Sequence, residues 1–186
     1  MRYSSKIAEE AQRLGKEIIL HLPLEPEIEG RKIGLEKYTI TSDMSEDEIV
    51  KNFRLALSSV PYISGVSNHM GSRATRDHRI MSVIFSELKK DKLFFLDNLV
   101  TNESICKSLS TKMEVKFACR DFFLDNSDDY EYIKEQFMKL IEFAQEFGQG
   151  VGIAHARRTT LKVLKDTIPL MEEKEIKLVF VSDLVK

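Results

Sequence analysis

No tryptophan occurs among the 186 residues, and cysteine appears only twice, proline four times and glycine eight times. Each scarcity excludes something. Without Trp, a sugar-binding surface has to stack on Phe or Tyr, of which there are 11 and 5. The two cysteines, Cys106 and Cys119, lack metal-ligand spacing and build no disulfide framework, so two reduced, buried thiols are expected. No apolar run approaches the roughly 20 residues that span a bilayer. The N-terminal MRYSSKIAEEAQRLG has no apolar centre of the kind a signal peptide needs. As written, a soluble cytoplasmic chain is expected. Charge of one sign is lacking too. With 28 Lys and Arg against 30 Asp and Glu, the net charge is -2 and the bases are scattered among glutamates. No basic face for nucleic acid results.

What is present is an alternation of short apolar runs with amphipathic helical ones. The strand candidates are Glu17–Leu22, Ile63–Val66, Leu93–Leu96, Val115–Ala118, Val151–Ala154 and Leu178–Val181. Each is short, apolar and bounded by polar or turn residues, as suits a strand buried on both faces. Residues 4 to 15 read as a helix that Gly15 stops. Ser45 with Glu48 has capping-box spacing, followed by Ile49, Phe53, Leu57 and Val60 at helical intervals. A long helix carries Tyr130, Ile133, Phe137, Leu140 and Ile141, with Ser127 or Asn126 as its expected cap and Gly148 as its stop. Another opens at Thr159, and Pro169 is expected to kink it or end it early. Strands alternating with helices predict βα units and a parallel sheet, open or closed as a barrel, in one domain over residues 1–186. Glu25–Ser45 is the longest insertion.

Polar groups fall at the ends of these strands. His21 closes EIILHL, His69 follows ISGVSN, Asp97 closes LFFLD, Asp125 lies in DFFLDN, and His155 closes VGIAH. In a parallel α/β fold the strand C-termini share one side, where ligands bind. Taken singly, each residue reads as a structural hydrogen-bonding group or a helix cap. Taken together, three histidines and two aspartates on one rim suit Zn²⁺ or another borderline divalent metal. Such a metal polarises a carbonyl and lowers the pKa of bound water, and a further histidine such as His155 can protonate a leaving group. Arg73 and the N–H groups around Gly71 are candidates for holding an oxyanion, while Asn68 and Arg73 are equally candidates for orienting His69. His78, in the first turn of a helix, is expected to be exposed. Thr75 is expected to cap that helix.

HLPLEP (21–26), GVSNHMGSRAT (65–75), LFFLDNLVT (93–101), RDFFLDN (120–126) and VGIAH (151–155) resemble, in that order, motifs of the divergent polysaccharide deacetylase family. That family is similar to the NodB-type carbohydrate esterases. The resemblance covers nearly the whole chain. It implies a distorted (β/α) barrel and metal-dependent removal of N- or O-acetyl groups from a polysaccharide. It implies that His21 and His69 are the metal ligands, with zinc the expected ion, and that His155 is the catalytic acid. Asp97 and Arg73 join His155 as catalytic candidates. Asn68, Ser72, Asp77, Arg120 and Asp125 are expected to orient ligands or bind substrate.

The sequence departs from the family pattern at its start. Family members carry a strand ending in Asp-Asp ahead of the first helix, implied to supply a metal ligand and the general base, and no such strand precedes residue 4 here. Ala74 and Ala156 are smaller departures. The expected architecture is therefore a six-stranded remnant of the barrel lacking its first strand. Three explanations stand: an N-terminally incomplete enzyme, a fold that has lost its chemistry, or another acid, such as Asp77 or Asp97, in the lost position. The first is preferred because His21, Asn68, His69, Arg73, Asp97 and His155 all fit the motifs, and a longer chain would allow export. The alternatives in function are a non-catalytic carbohydrate-binding or scaffold domain and a different metal hydrolase. A missing strand leaves open sheet edges, so self-association as a homodimer is expected.

Overall fold

A computed structural model describes residues 3–27 and 36–186. Part of the Glu25–Ser45 insertion, residues 28–35, lies outside the described residues. The chain divides into two compact units, Met1–Ala118 with Val185–Lys186, and Cys119–Leu184.

In the first unit, helix α1 (Ser4–Arg13) leads into β1 (Ile19–Leu24), then α2 (Glu46–Ser58), β2 (Gly65–Met70), a single 3-10 turn (Ala74–Arg76), α3 (His78–Asp91), β3 (Phe94–Asp97), α4 (Cys106–Met113) and β4 (Phe117–Cys119), whose last residue falls in the second unit. The sheet order is β1-β2-β3-β4, with β1 and β3 both parallel to β2. Alternation along the strands sorts the two faces. Leu20, Leu22 and Leu24 of β1, Val66 of β2 and Phe95 of β3 enter one apolar core with Ile49 and Phe53 of α2 and Ile80, Ile84 and Phe85 of α3. The opposite face carries His21, Ser67 and His69. Helix α2 begins as the sequence predicts, with Ser45 and Glu48 closing a reciprocal capping box. It is tied to α3 by Arg54, which pairs with the buried carboxylate of Glu87 and with Asp91.

The second unit contains β5 (Phe122–Phe123), α5 (Tyr130–Phe147), β6 (Gly152–Ile153), α6 (Arg158–Glu173) and a 3-10 turn (Val181–Asp183). The two short strands pair in parallel. Ile133, Phe137 and Ile141 of α5 and Val163 and Met171 of α6 pack with Leu124 as a separate core.

Several expectations need correction. Among the described residues the strands form two open sheets, not a closed barrel. Leu178–Val181 is not a strand. Leu178, Val179 and Phe180 are 60, 43 and 45 % exposed, and the chain passes straight into the 3-10 turn. Apolar β-branched sequence makes a strand only where a neighbour offers hydrogen bonds, and no described strand pairs there. Asp77, not Thr75, caps α3, and Asp129 caps α5. Helix α6 runs through Pro169 to Glu173. The buried Thr167 and Met171 on either side hold it in place, and Thr167 Oγ1 donates to the Val163 and Leu164 carbonyls.

Among the described residues, one edge of the four-stranded sheet is nearly unpaired. Beyond a single parallel bridge from Leu24 to Ile40, no described strand pairs with the outer side of β1. Beside it lies a cavity of about 210 Å³ whose lining includes Leu20, His21, Pro23, Tyr38, Ala56 and Val60.

Gly65 shows how closely the histidine-bearing face is packed. It pairs with Phe94 across β2 and β3, and a Cβ built on it would come within 2.4 Å of the Phe94 ring. Gly65→Ala is expected to cost about 1–3 kcal/mol in urea unfolding. Adding Phe94→Leu should recover part of that loss, a coupling a double-mutant cycle would detect. Strict additivity of the two changes would refute the packing account.

Candidate functional site

The parallel register between β1 and β2 places His21 opposite Ser67 and Pro23 opposite His69. Side chains two apart on a strand share a face, so Ser67 and His69 stand together beside His21. The His21 Nδ1 lies 2.9 Å from Ser67 Oγ, and the His21 Nε2 lies 3.2 Å from His69 Nδ1. The rings meet edge to face at 4.9 Å. The remaining nitrogen of His69, Nε2, is 3.1 Å from Glu36 Oε1. Both strands continue past their histidines, β1 by three residues and β2 by one.

The turn after β2 is held hard. Met70 takes φ 54° and Gly71 φ 95°. At Gly71 a Cβ would sit 2.8 Å from Leu24 Cβ, so only glycine turns the chain here without strain. The Glu25 carbonyl accepts from the backbone N–H groups of Arg73 and Ala74, and Glu25 Oε2 accepts from Ser42 N. Ser72 Oγ accepts from Glu27 N. The Arg73 guanidinium is exposed, 3.5 Å from Glu25 Oε1. Among the N–H groups around Gly71, those of Arg73 and Ala74 are thus already bonded to the Glu25 carbonyl.

Asn68 and Asp97 point the other way. Asn68 is fully buried, with Nδ2 donating to the Met70 carbonyl and Oδ1 accepting from Asn98 N at 2.8 Å. Asp97 is 1 % exposed. Its two oxygens accept from Leu99 N and Ser104 Oγ. On β3 it shares the face of Phe95, the core side, not the side of His21 and His69. Asp77 accepts from Ile80 N as the cap of α3. His21 and His69 come together; Asp77 and Asp97 are used in holding backbone.

The second unit builds a different pairing. Asp125 is fully buried and His155 is exposed, its side chain 56 % accessible. Asp125 Oδ1 lies 3.0 Å from His155 Nδ1, while Oδ2 accepts from His155 N and from Thr160 Oγ1. Arg157 donates to the Asp125 carbonyl. Phe123 flanks the imidazole at 5.4 Å, and the Arg120 guanidinium covers the same Phe123 ring. Burial alone would raise the Asp125 pKa, but hydrogen bonds from His155 N, Thr160 and the His155 ring hold it below the usual carboxylate value.

The sequence profile described as Divergent polysaccharide deacetylase matches residues 1–185. The chain belongs to that family. Among its relatives, the uncharacterized protein YibQ of Escherichia coli (strain K12) is 32 % identical over 166 residues, which is 89 % of this chain and 51 % of YibQ. An uncharacterized protein of Haemophilus influenzae (strain ATCC 51907 / DSM 11121 / KW20 / Rd) is 29 % identical over 182 residues, covering 98 % of this chain and 64 % of that protein. The chain thus spans between half and two thirds of the length of these relatives. The crystal structure of the uncharacterized protein ATU2773 from Agrobacterium tumefaciens C58 has the same fold, with a TM-score of 0.92 at 22 % identity over 97 % of this chain and 73 % of that one.

Within this family fold, the donors fit a metal in part. Two nitrogens each about 2.05 Å from a tetrahedral zinc stand about 3.3 Å apart, close to the 3.2 Å between His21 Nε2 and His69 Nδ1. Among the described residues, no group of three His, Cys, Asp or Glu side chains is gathered to hold an ion. Sequence reasoning missed Ser67, Glu36, Arg157 and Thr160. Ser67 was findable, because it lies two residues before His69 on a strand. Glu36 was not, since its place depends on the path of a long loop.

The Asp125 cluster predicts a specific acid dependence. Its folded-state pKa lies below the unfolded value near ~3.9. The stabilisation is therefore full above that value and is lost as pH falls through the folded one. Asp125→Asn should cost about 1–3 kcal/mol at pH 7. It should also reduce the stability difference between pH 7 and pH 3, measured by urea unfolding followed by circular dichroism. An unchanged pH dependence in the variant would count against it.

Proposed function

We propose that this chain carries the two-histidine part of a metal-dependent deacetylase site that acts on N- or O-acetylated polysaccharide. The observation that carries the proposal is the pair of imidazole nitrogens of His21 and His69, 3.2 Å apart on one face of the sheet. Family membership over residues 1–185 supports the substrate class. A divalent metal such as Zn²⁺ supplies Lewis acidity toward the acetyl carbonyl and toward water.

The chain's own groups then take distinct parts. His21 and His69 hold the metal. The exposed Arg73 guanidinium binds a negative oxygen of the substrate or of the developing charge. His155, in the second unit, is the proton donor that the family resemblance implies, and the buried Asp125 keeps its Nδ1–H engaged so that Nε2 is left to carry the exchange. Phe123 flanks that imidazole and carries the Arg120 guanidinium over its ring. Asn68, Ser72, Asp77 and Asp97 keep the loops around the histidines in place.

Two measurements test this together. The chain should retain Zn²⁺ after dialysis, and His69→Ala should lose it. Acetate release from acetylated chitooligosaccharide or peptidoglycan should fall by about 10²–10⁴-fold in His155→Ala with zinc content unchanged. A chain that binds the glycan but neither takes up metal nor releases acetate would instead be a carbohydrate-binding scaffold.

A further inference from the structure

Ser67, His21, His69 and Glu36 form one line of polar contacts. Ser67 Oγ lies 2.9 Å from His21 Nδ1, His21 Nε2 lies 3.2 Å from His69 Nδ1, and His69 Nε2 lies 3.1 Å from Glu36 Oε1. The two ends differ in kind. An ionised carboxylate only accepts, so the nitrogen facing Glu36 carries a proton, and in a neutral ring the lone pair then sits on Nδ1. A hydroxyl both donates and accepts, so Ser67 can serve either tautomer of His21.

We infer that Glu36 and Ser67 are the positioning residues of the histidine pair, Glu36 by fixing the tautomer of His69 and Ser67 by letting His21 change its own when a divalent cation binds. The assignment rests on the metal site proposed above and adds the two residues that tune it. Without a cation, the contacts run as one relay. Ser67 O–H donates to His21 Nδ1, His21 Nε2–H donates to His69 Nδ1, and His69 Nε2–H donates to Glu36. With a cation, His21 Nε2 must present its lone pair. Its proton then resides on Nδ1, and Ser67 turns its oxygen to accept it. The count of protons on the two rings is unchanged, and His69 keeps Nε2–H throughout. Outer hydrogen bonds of this kind orient an imidazole and raise its basicity toward a metal.

The geometry restricts what can replace these residues. Ser67 is 6 % exposed and sits directly opposite His21 in the β1–β2 register. Its loss removes the hydroxyl that lies 2.9 Å from His21 Nδ1. Glu36 is about half exposed, so Glu36→Ala should fold normally and report on the contact alone.

The test uses the full chain and Zn²⁺ as the probe. Zinc affinity is measured by competition with a chelating dye, and ring tautomers by nitrogen-15 NMR of the imidazoles. Glu36→Ala and Ser67→Ala should each weaken zinc binding by about 10–100-fold. Glu36→Gln and Ser67→Thr, which keep an acceptor or a hydroxyl, should recover part of it, and His78→Ala should change nothing. In the wild type, zinc should move the His21 proton from Nε2 to Nδ1 and leave His69 as the Nε2–H tautomer. Zinc binding in the wild type with both alanine variants within twofold of it overturns this assignment alone. So does zinc-loaded His69 with its proton on Nδ1. A wild-type chain that takes up no Zn²⁺ overturns the metal site itself.

Discussion

The register between β1 and β2 is the constraint on which the candidate site depends. Pairing His21 with Ser67 and Pro23 with His69 puts three polar side chains on one face and Leu20, Leu22, Leu24 and Val66 in the core on the other. A slip of one residue would exchange the faces, burying a histidine and exposing leucines. Each fully buried leucine is worth about 1.5–3 kcal/mol. The apolar side of the strands therefore fixes the register, and the histidines are positioned by residues on the opposite face of the sheet.

A second layer of backbone bonding locks the ends of those strands. Gly71 brings the turn after β2 against Leu24, the Glu25 carbonyl takes the N–H groups of residues 73 and 74, and Asn68 joins the end of β2 to the chain beyond β3 through Asn98. The Glu25 and Asn68 contacts satisfy groups that a turn and a strand end would otherwise leave open. This accounts for much of the polar density in GVSNHMGSRATRD. Most of those side chains and amides hold the backbone around His69, and few of them face outward.

That division explains what the sequence made legible. Five of the six expected strands, with shifted ends, and the capping box at Ser45 follow from local patterns, while the pairing of His21 with His69 was carried by the shared rim of a parallel α/β fold and by the family resemblance. Asp97 misled, because a carboxylate at a strand end looks the same whether it turns inward to Leu99 and Ser104 or outward to a ligand; only the face of β3 decides. Leu178–Val181 misled because strand formation depends on a partner edge. Glu36 and Thr160 were invisible, since each reaches its histidine or aspartate through tertiary packing.

The two carboxylate–imidazole pairs, one in each unit, differ in how far the carboxylate is buried. Asp125 is wholly buried and receives three hydrogen bonds, so its charge is fixed and His155 is left with one exposed nitrogen. That suits an imidazole that exchanges a proton with something arriving from solvent. Glu36 is half exposed and acts on a ring whose other nitrogen already faces a second imidazole. A ring so placed has no open nitrogen with which to shuttle protons, and its Nδ1 faces the Nε2 of His21. On the proposed function, burial of the carboxylate separates the proton donor from the metal holders: the same two residue types serve both, and the openness of the second ring nitrogen decides between them.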